Sequence, residues 1–210
     1  MPGPAAQDAP FRLPSVEIVP RPARPLREPL PGGSDMARLG LALRAETPDD
    51  LRFLHAVYAD TRAAEMMMLG DSWDVASKRD FVDKQFAYQY LHHSRHFADG
   101  DYAIIEIGGR PAGRFYLHWG SGTKRDCRLF EFQLLPPFRG RGIGSVLLGA
   151  LLRHARTLRY SVSLHVERMS PARRLYARFG FQPVGHSHDS ASLLMQWRDG
   201  PVVPGLRLAE

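Results

Sequence analysis

The stretch LLPPFRGRGIGSVLLGALLRHA, residues 134–155, decides how this chain folds. The apolar end of a strand runs into two prolines, then into glycines interleaved with Arg139, Arg141 and Ile143. Leu147, Leu148, Leu151, Leu152 and Ala155 then recur at helical spacing. Strand, glycine loop and amphipathic helix in that order make an anion cradle. Gly142 and Gly144 let backbone N–H groups converge, and a helix starting near Ser145 adds its positive end. Arg139 and Arg141 add charge, so a pyrophosphate suits the loop.

Two nucleotide motifs fail here. A P-loop needs a lysine after its last glycine, and this loop has none. A dinucleotide fingerprint counted from Gly140 ends on Ser145, and counted from Gly142 it ends on Leu147. The acidic ribose partner about twenty residues on is also missing, where the chain reads YSVSLHV.

Outward from the loop, CRLFEFQLL before it is a strand. Phe130, Phe132 and Leu134 are expected on one face, Glu131 and Gln133 on the other. Upstream, DYAIIEIGGRPAGRFYLHW reads as a hairpin turning at Gly108-Gly109-Arg110-Pro111. LALRAETPDDLRFLHAVYA opens with a strand. Thr47, Pro48, Asp49 and Asp50 then start a helix whose stripe is Leu51, Leu54, His55 and Tyr58. A second helix follows Trp73 with Phe81, Val82, Gln85, Phe86 and Gln89 in line. Downstream come the strand YSVSLHV, a short helix in SPARRLYARFGF ended by Gly180, and a last strand in SASLLMQW. This order predicts an α/β (α+β) fold, a mixed sheet of about six to seven strands with helices on both faces.

The 210 residues carry a formal charge of +6 and 44% hydrophobic residues, a globular composition with no run long enough for a membrane span. Nine of the 17 prolines fall in residues 1–35, which predicts a disordered or polyproline-like arm; Met36 offers a second start. Residues 36–200 are expected to form one domain, with 201–210 a tail. The arm's charges cancel, so the excess sits on the domain. Its arginines are scattered, which argues against a nucleic-acid protein. A single cysteine, Cys127, points to a reducing, cytoplasmic setting.

LLPPFRGRGIGSVLL resembles the acyl-CoA loop of the GNAT N-acetyltransferase superfamily, Gln/Arg-x-x-Gly-x-Gly/Ala. SPARRLYARFGF resembles its second motif, in which Ala-x-x-x-Tyr-x-x-x-Gly-Phe recurs. The likeness runs from about Leu41 to Trp197. It implies a mostly antiparallel sheet whose fourth and fifth strands splay apart to take the pantetheine arm. It implies acetyl-CoA as donor and an amine, small-molecule or protein-borne, as acceptor, attacking directly in a ternary complex. It places the cofactor on Leu134, Leu135, Arg139, Gly140, Arg141, Gly142, Ile143, Gly144, Ser145, Ser170 and Tyr176. The N–H of Leu134 would stabilise the oxyanion and Tyr176 would be the general acid. Ser170 departs from the asparagine common at the start of the second motif, though its hydroxyl can still cap the helix.

Glu131 is the first candidate for general base, with Asp126, His165, Glu167 and a water chain as alternatives. No metal is expected. His92 and His96 in LHHSRH lack the glutamate of a zinc-protease helix and a second ligand cluster. Cys127 has no His-Asp pattern around it to make it a nucleophile. A non-catalytic acyl-CoA-binding module stands as the rival reading, a nucleic-acid-associated protein as a third, and the assembly is expected to be a monomer or homodimer.

Overall fold

The computed structural model describes residues 13, 17–120, 125–186 and 191–200. The expected tail at 201–210 and the start of the arm lie outside the described residues. The described chain falls into two compact units: residues up to Arg24 with Glu46–Ala98, and Pro25–Ala45 with Asp99 onward.

The first unit is a helical hairpin, α2 (Leu51–Met68) and α3 (Val75–His96). The Asp50 carboxylate accepts from both the N–H and the hydroxyl of Thr47, which fixes the entry to α2. Asp74 caps α3 by accepting from the Ser77 N–H at 2.6 Å. Leu51, Leu54, Val57 and Tyr58 are buried on α2. On α3 the buried stripe is Val82, Asp83, Phe86, Ala87, Tyr90 and His93, turned from the expected one, for Gln85 is exposed. The reason is polar: Asp83 is turned inward to meet His55, Nε2 to Oδ1, at 2.7 Å. Arg21 also belongs to this unit. Its guanidinium holds the buried Glu46 at 2.8 Å and lies 3.8 Å from the Tyr90 ring centre.

The second unit is a seven-stranded mixed sheet in the order β1-β2-β3-β4-β5-β7-β6, with α1 (Ser34–Arg38), α4 (Ile143–Leu158) and α5 (Ala172–Arg178). The strands are β1 (Leu41–Ala45), β2 (Asp101–Ile107), β3 (Arg110–Trp119), β4 (Asp126–Leu134), β5 (Ser161–Glu167), β6 (Gln182–His186) and β7 (Ser192–Trp197). All described pairings are antiparallel except β4 with β5, which the α4 crossover makes parallel. The β2–β3 turn is shorter than expected, two residues, Gly108 and Gly109, at φ +56° and +73°. Strand β6 was not legible: Pro183 and Gly185 interrupt it at a bulge, as an edge strand tolerates.

One face of the sheet joins α4 in the main core, with Phe115, Leu117, Cys127, Leu129, Val162 and Leu164 among its members. The leucine stripe of α4 is buried as its spacing requires. The opposite face is more polar and carries Arg114, Arg128, Glu131 and Gln133. The alternation expected along β4 fails at one residue. Tyr116 pairs with Glu131 but Leu117 with Leu129, which leaves Phe130 as a bulge. Phe130 therefore turns away from Phe132 and packs on Tyr102 and Tyr116, ring centres 5.6 Å away in each case.

Residues 17–33 form neither helix nor strand, as their prolines require, yet several are held. In the second unit the buried Asp101 accepts from the N–H groups of Arg27 and Glu28 and from the Trp119 indole.

Candidate active site

Strands β4 and β5 pair from Asp126↔Ser161 to Leu129↔Leu164 and no further, although β4 runs on to Leu134 and β5 to Glu167. The sheet forks there. Which backbone groups look into the fork follows from the register with β3. The Leu135 N–H donates to the Ala112 carbonyl at 2.9 Å, so Leu135 belongs to a hydrogen-bonded pair. Its neighbour Leu134, opposite Gly113, is in a non-bonded pair, and its N–H and C=O point away from β3. The Leu134 carbonyl is taken by Arg139 Nε at 2.8 Å. Its N–H faces the open stretch.

Gly113 makes this close approach possible. A Cβ there would lie 2.1 Å from the Gln133 carbonyl oxygen. A glycine within an apolar strand is the usual mark of such an approach, and sequence reading passed over it.

Beyond Leu134 and Leu135 a short 3-10 turn, Pro136–Phe138, leads to the glycine loop. Gly140 and Gly142 take φ +72° and +79°, and open space lies where a side chain would stand. Helix α4 begins at Ile143, two residues before the expected Ser145. No side chain caps it, and its first backbone bond runs from the Val146 N–H to the Gly142 carbonyl. The amino-terminal N–H groups therefore lie uncapped next to side-chain positions left clear at Gly140 and Gly142, with the exposed Arg141 beside them. Gly144 has a different task. A Cβ there would come 3.1 Å from Leu175 and 3.7 Å from Phe132, so it seats α4 against α5 and β4.

Ser170 Oγ accepts from the Ala172 N–H at 3.3 Å, which caps α5. Tyr176 on α5 is buried, with its ring 5.7 Å from that of Phe181. Burial first, and the negative charge of Glu131 second, push its phenol up to about 12. It keeps its proton at neutral pH. Among the described residues nothing hydrogen-bonds its hydroxyl.

Glu131 is nine-tenths buried, and its Oε2 is 3.1 Å from an Nη of the still more deeply buried Arg114. Arg114 also donates to Gln133 at 2.8 Å. Arg114 was missed from sequence, although a lone arginine in PAGRFYL invited the question of its partner. Asp126, an alternative base by sequence, lies at the closed end of the fork. Its oxygens are occupied by Ser161, Ser163 and Gln196. His165 and Glu167 are on the stretch of β5 beyond its pairing with β4, where they still pair with β7. Cys127 is fully buried, and burial, then Asp126 and Asp101, hold its thiol well above the ordinary range, which makes it inert. His92 and His96 stack at 4.2 Å, and among the described residues no three ligand-type side chains converge on a metal site. None of the described helices is long and apolar enough to cross a membrane.

The fold has counterparts. A family model described as acetyltransferase (GNAT) family matches residues 48–181. The comparison with curated proteins yields no match. Among solved structures, a PaiA N-acetyltransferase from Thermoplasma acidophilum in complex with coenzyme A is similar at TM-score 0.55 and 16% identity, over 75% of this chain and 98% of that one. An acetyltransferase from Thermus thermophilus is similar at 0.54 and 20%, over 76% and 97%. A spermidine N-acetyltransferase mutant from Vibrio cholerae is similar at 0.53 and 20%, over 76% and 94%. The matched segment takes in the loop, the fork and α5, and the chain belongs to the GNAT acetyltransferase family.

Proposed function

We propose that this protein transfers an acetyl group from acetyl-CoA to an amine by direct attack in a ternary complex. The observation that carries the reading is the fork. The stretch of β4 beyond its pairing with β5 turns the Leu134 N–H away from β3, toward the side β5 has left, and leads straight to the uncapped start of α4. Acetyl-CoA supplies the activated acetyl thioester. The α4 N–H groups, Arg139 and Arg141 hold its pyrophosphate, and the flank of β4 at Leu134 that β5 leaves uncovered receives the pantetheine arm, whereas Leu135 spends its N–H on Ala112. The Leu134 N–H is a fixed donor for the thioester oxygen as charge develops on it.

Tyr176 acts as acid because it is protonated at working pH and its hydroxyl is not tied to another side chain. It gives that proton to the departing sulfur. Glu131 receives the proton shed by the amine, and Arg114 fixes the orientation of the carboxylate. Ser170 holds α5, and with it Tyr176, in place.

Thiol release from acetyl-CoA across a panel of amines tests the reading. Tyr176→Phe is expected to lower kcat about a hundredfold while KM for acetyl-CoA stays within about twofold. Full turnover by that variant removes Tyr176 from the mechanism. Tight coenzyme A binding with no release from any amine would favour a non-catalytic acyl-CoA module instead.

A further inference from the structure

Arg128 lies one residue before the fork. It stands on β4 opposite Ser163 of β5, and the ladder ends at the next pair, Leu129↔Leu164. Its side chain reaches across to β5, where Nη1 is 3.5 Å from Ser163 Oγ and Nη2 meets His165 Nδ1. An arginine donor on Nδ1 requires the imidazole to be neutral there, with the ring proton on Nε2.

The sheet's other half-buried or buried arginines have carboxylates: Arg44 has Glu106 at 2.7 Å and Arg114 has Glu131 at 3.1 Å. Arg128 has no carboxylate partner among the described residues. The nearest candidate, Asp126, spends its oxygens on Ser161, Ser163 and Gln196. Burial pulls the Arg128 pKa below the usual arginine range, and the more distant charge of Asp126 only partly opposes this. A guanidinium with that burial, presented by a hydroxyl and an imidazole, is a planar fork without its counter-ion.

We propose that Arg128, positioned by Ser163 and His165 where β4 and β5 part, binds a carboxylate carried by the acceptor amine. The inference rests on the acetyltransferase reading, which puts the acetyl group in the fork, on the stretch of β4 that runs on from the Leu129↔Leu164 pair to Leu134. Acceptor substituents that extend from there toward the closed end of the fork meet Arg128. A carboxylate meets two parallel N–H donors, whereas a polycationic amine meets a like charge. The acceptor class is therefore an amino acid or a related amino-carboxylate.

The test compares amino acids with their own amides in acetyl-CoA thiol release by the full chain. The amide's amine is the less basic of the two, so amine basicity alone favours the amide. Wild type is expected to prefer the acids at least about tenfold in kcat/KM, the worth of one charge-assisted hydrogen bond. Arg128→Gln should bring the ratio near unity while coenzyme A binding is unchanged, and Arg128→Lys should restore part of it. Equal or better use of amides or spermidine by wild type, or a preference surviving in Arg128→Gln, overturns the proposal. A second readout does not need turnover. With coenzyme A present, N-acetyl amino acids should raise the Tm of wild type but not of Arg128→Gln, and their amides should raise neither. Absence of that difference also overturns it. Loss of thiol release from every amine, with the Tm difference intact, would instead sink the acetyltransferase reading and leave the carboxylate site standing.

Discussion

Tyr176 shows how one side chain's surroundings set its chemistry. A phenol in water loses its proton near 10, but in this site the value is about 12, because burial and Glu131 both disfavour the phenolate. Tyr90 is also pushed up to about 12, mainly by burial. Both groups bind their proton more tightly folded than unfolded. Their contribution to stability is complete below pH 10 and is lost as pH rises through the folded value near 12. Thermal unfolding followed from pH 9 to 12 should therefore show Tm falling above about 10, and Tyr176→Phe should flatten part of that fall. The motif singled out Tyr176, and the structure buries it where the charge of Glu131 is felt. The pairing of Glu131 with Arg114 was not legible, because the two come from different strands. Nothing in local spacing reports a cross-strand ion pair.

Strand β4 illustrates what pattern reading captures and where it stops. Its existence and its run into the glycine loop followed from apolar alternation and punctuation. The bulge at Phe130 did not, since an extra residue leaves the composition unchanged and shows itself only in register. The fork was expected only through the family resemblance; the pairing of β4 with β5 shows where it begins. Beside it, Gly113 tests how finely Leu134 must be placed. Gly113→Ala would drive a methyl group into the Gln133 carbonyl, and β4 must shift to admit it. The expected cost is about 1–3 kcal/mol of stability, measured by denaturant unfolding. The accompanying loss of kcat should be larger than that of a destabilised variant at a remote site. The helix stripe of α3 makes a similar point, since a polar pair, His55 with Asp83, set its rotation against the apolar pattern.

At the scale of the molecule, the proline-rich segment contributes a partner to each unit. Arg21 neutralises Glu46 in one, and the N–H groups of Arg27 and Glu28 satisfy Asp101 in the other. Both carboxylates are buried. Arg21→Ala should cost about 3 kcal/mol, because it removes the cation that faces the buried Glu46. A chain begun at Met36 should unfold at a lower temperature still, since it loses both sets of contacts; equal Tm values for the two forms would refute that. The fork has a last consequence, for divergence between relatives. On the proposed function, a donor held through strand N–H groups and a helix terminus is held largely by backbone atoms, which every residue type but proline supplies. Substitution can pass freely over much of that surface without disturbing the grip, which suits a fold shared at 16–20% identity. If Arg128 reads the acceptor as proposed, side chains of its kind are the places where one lineage can change its diet while keeping its donor.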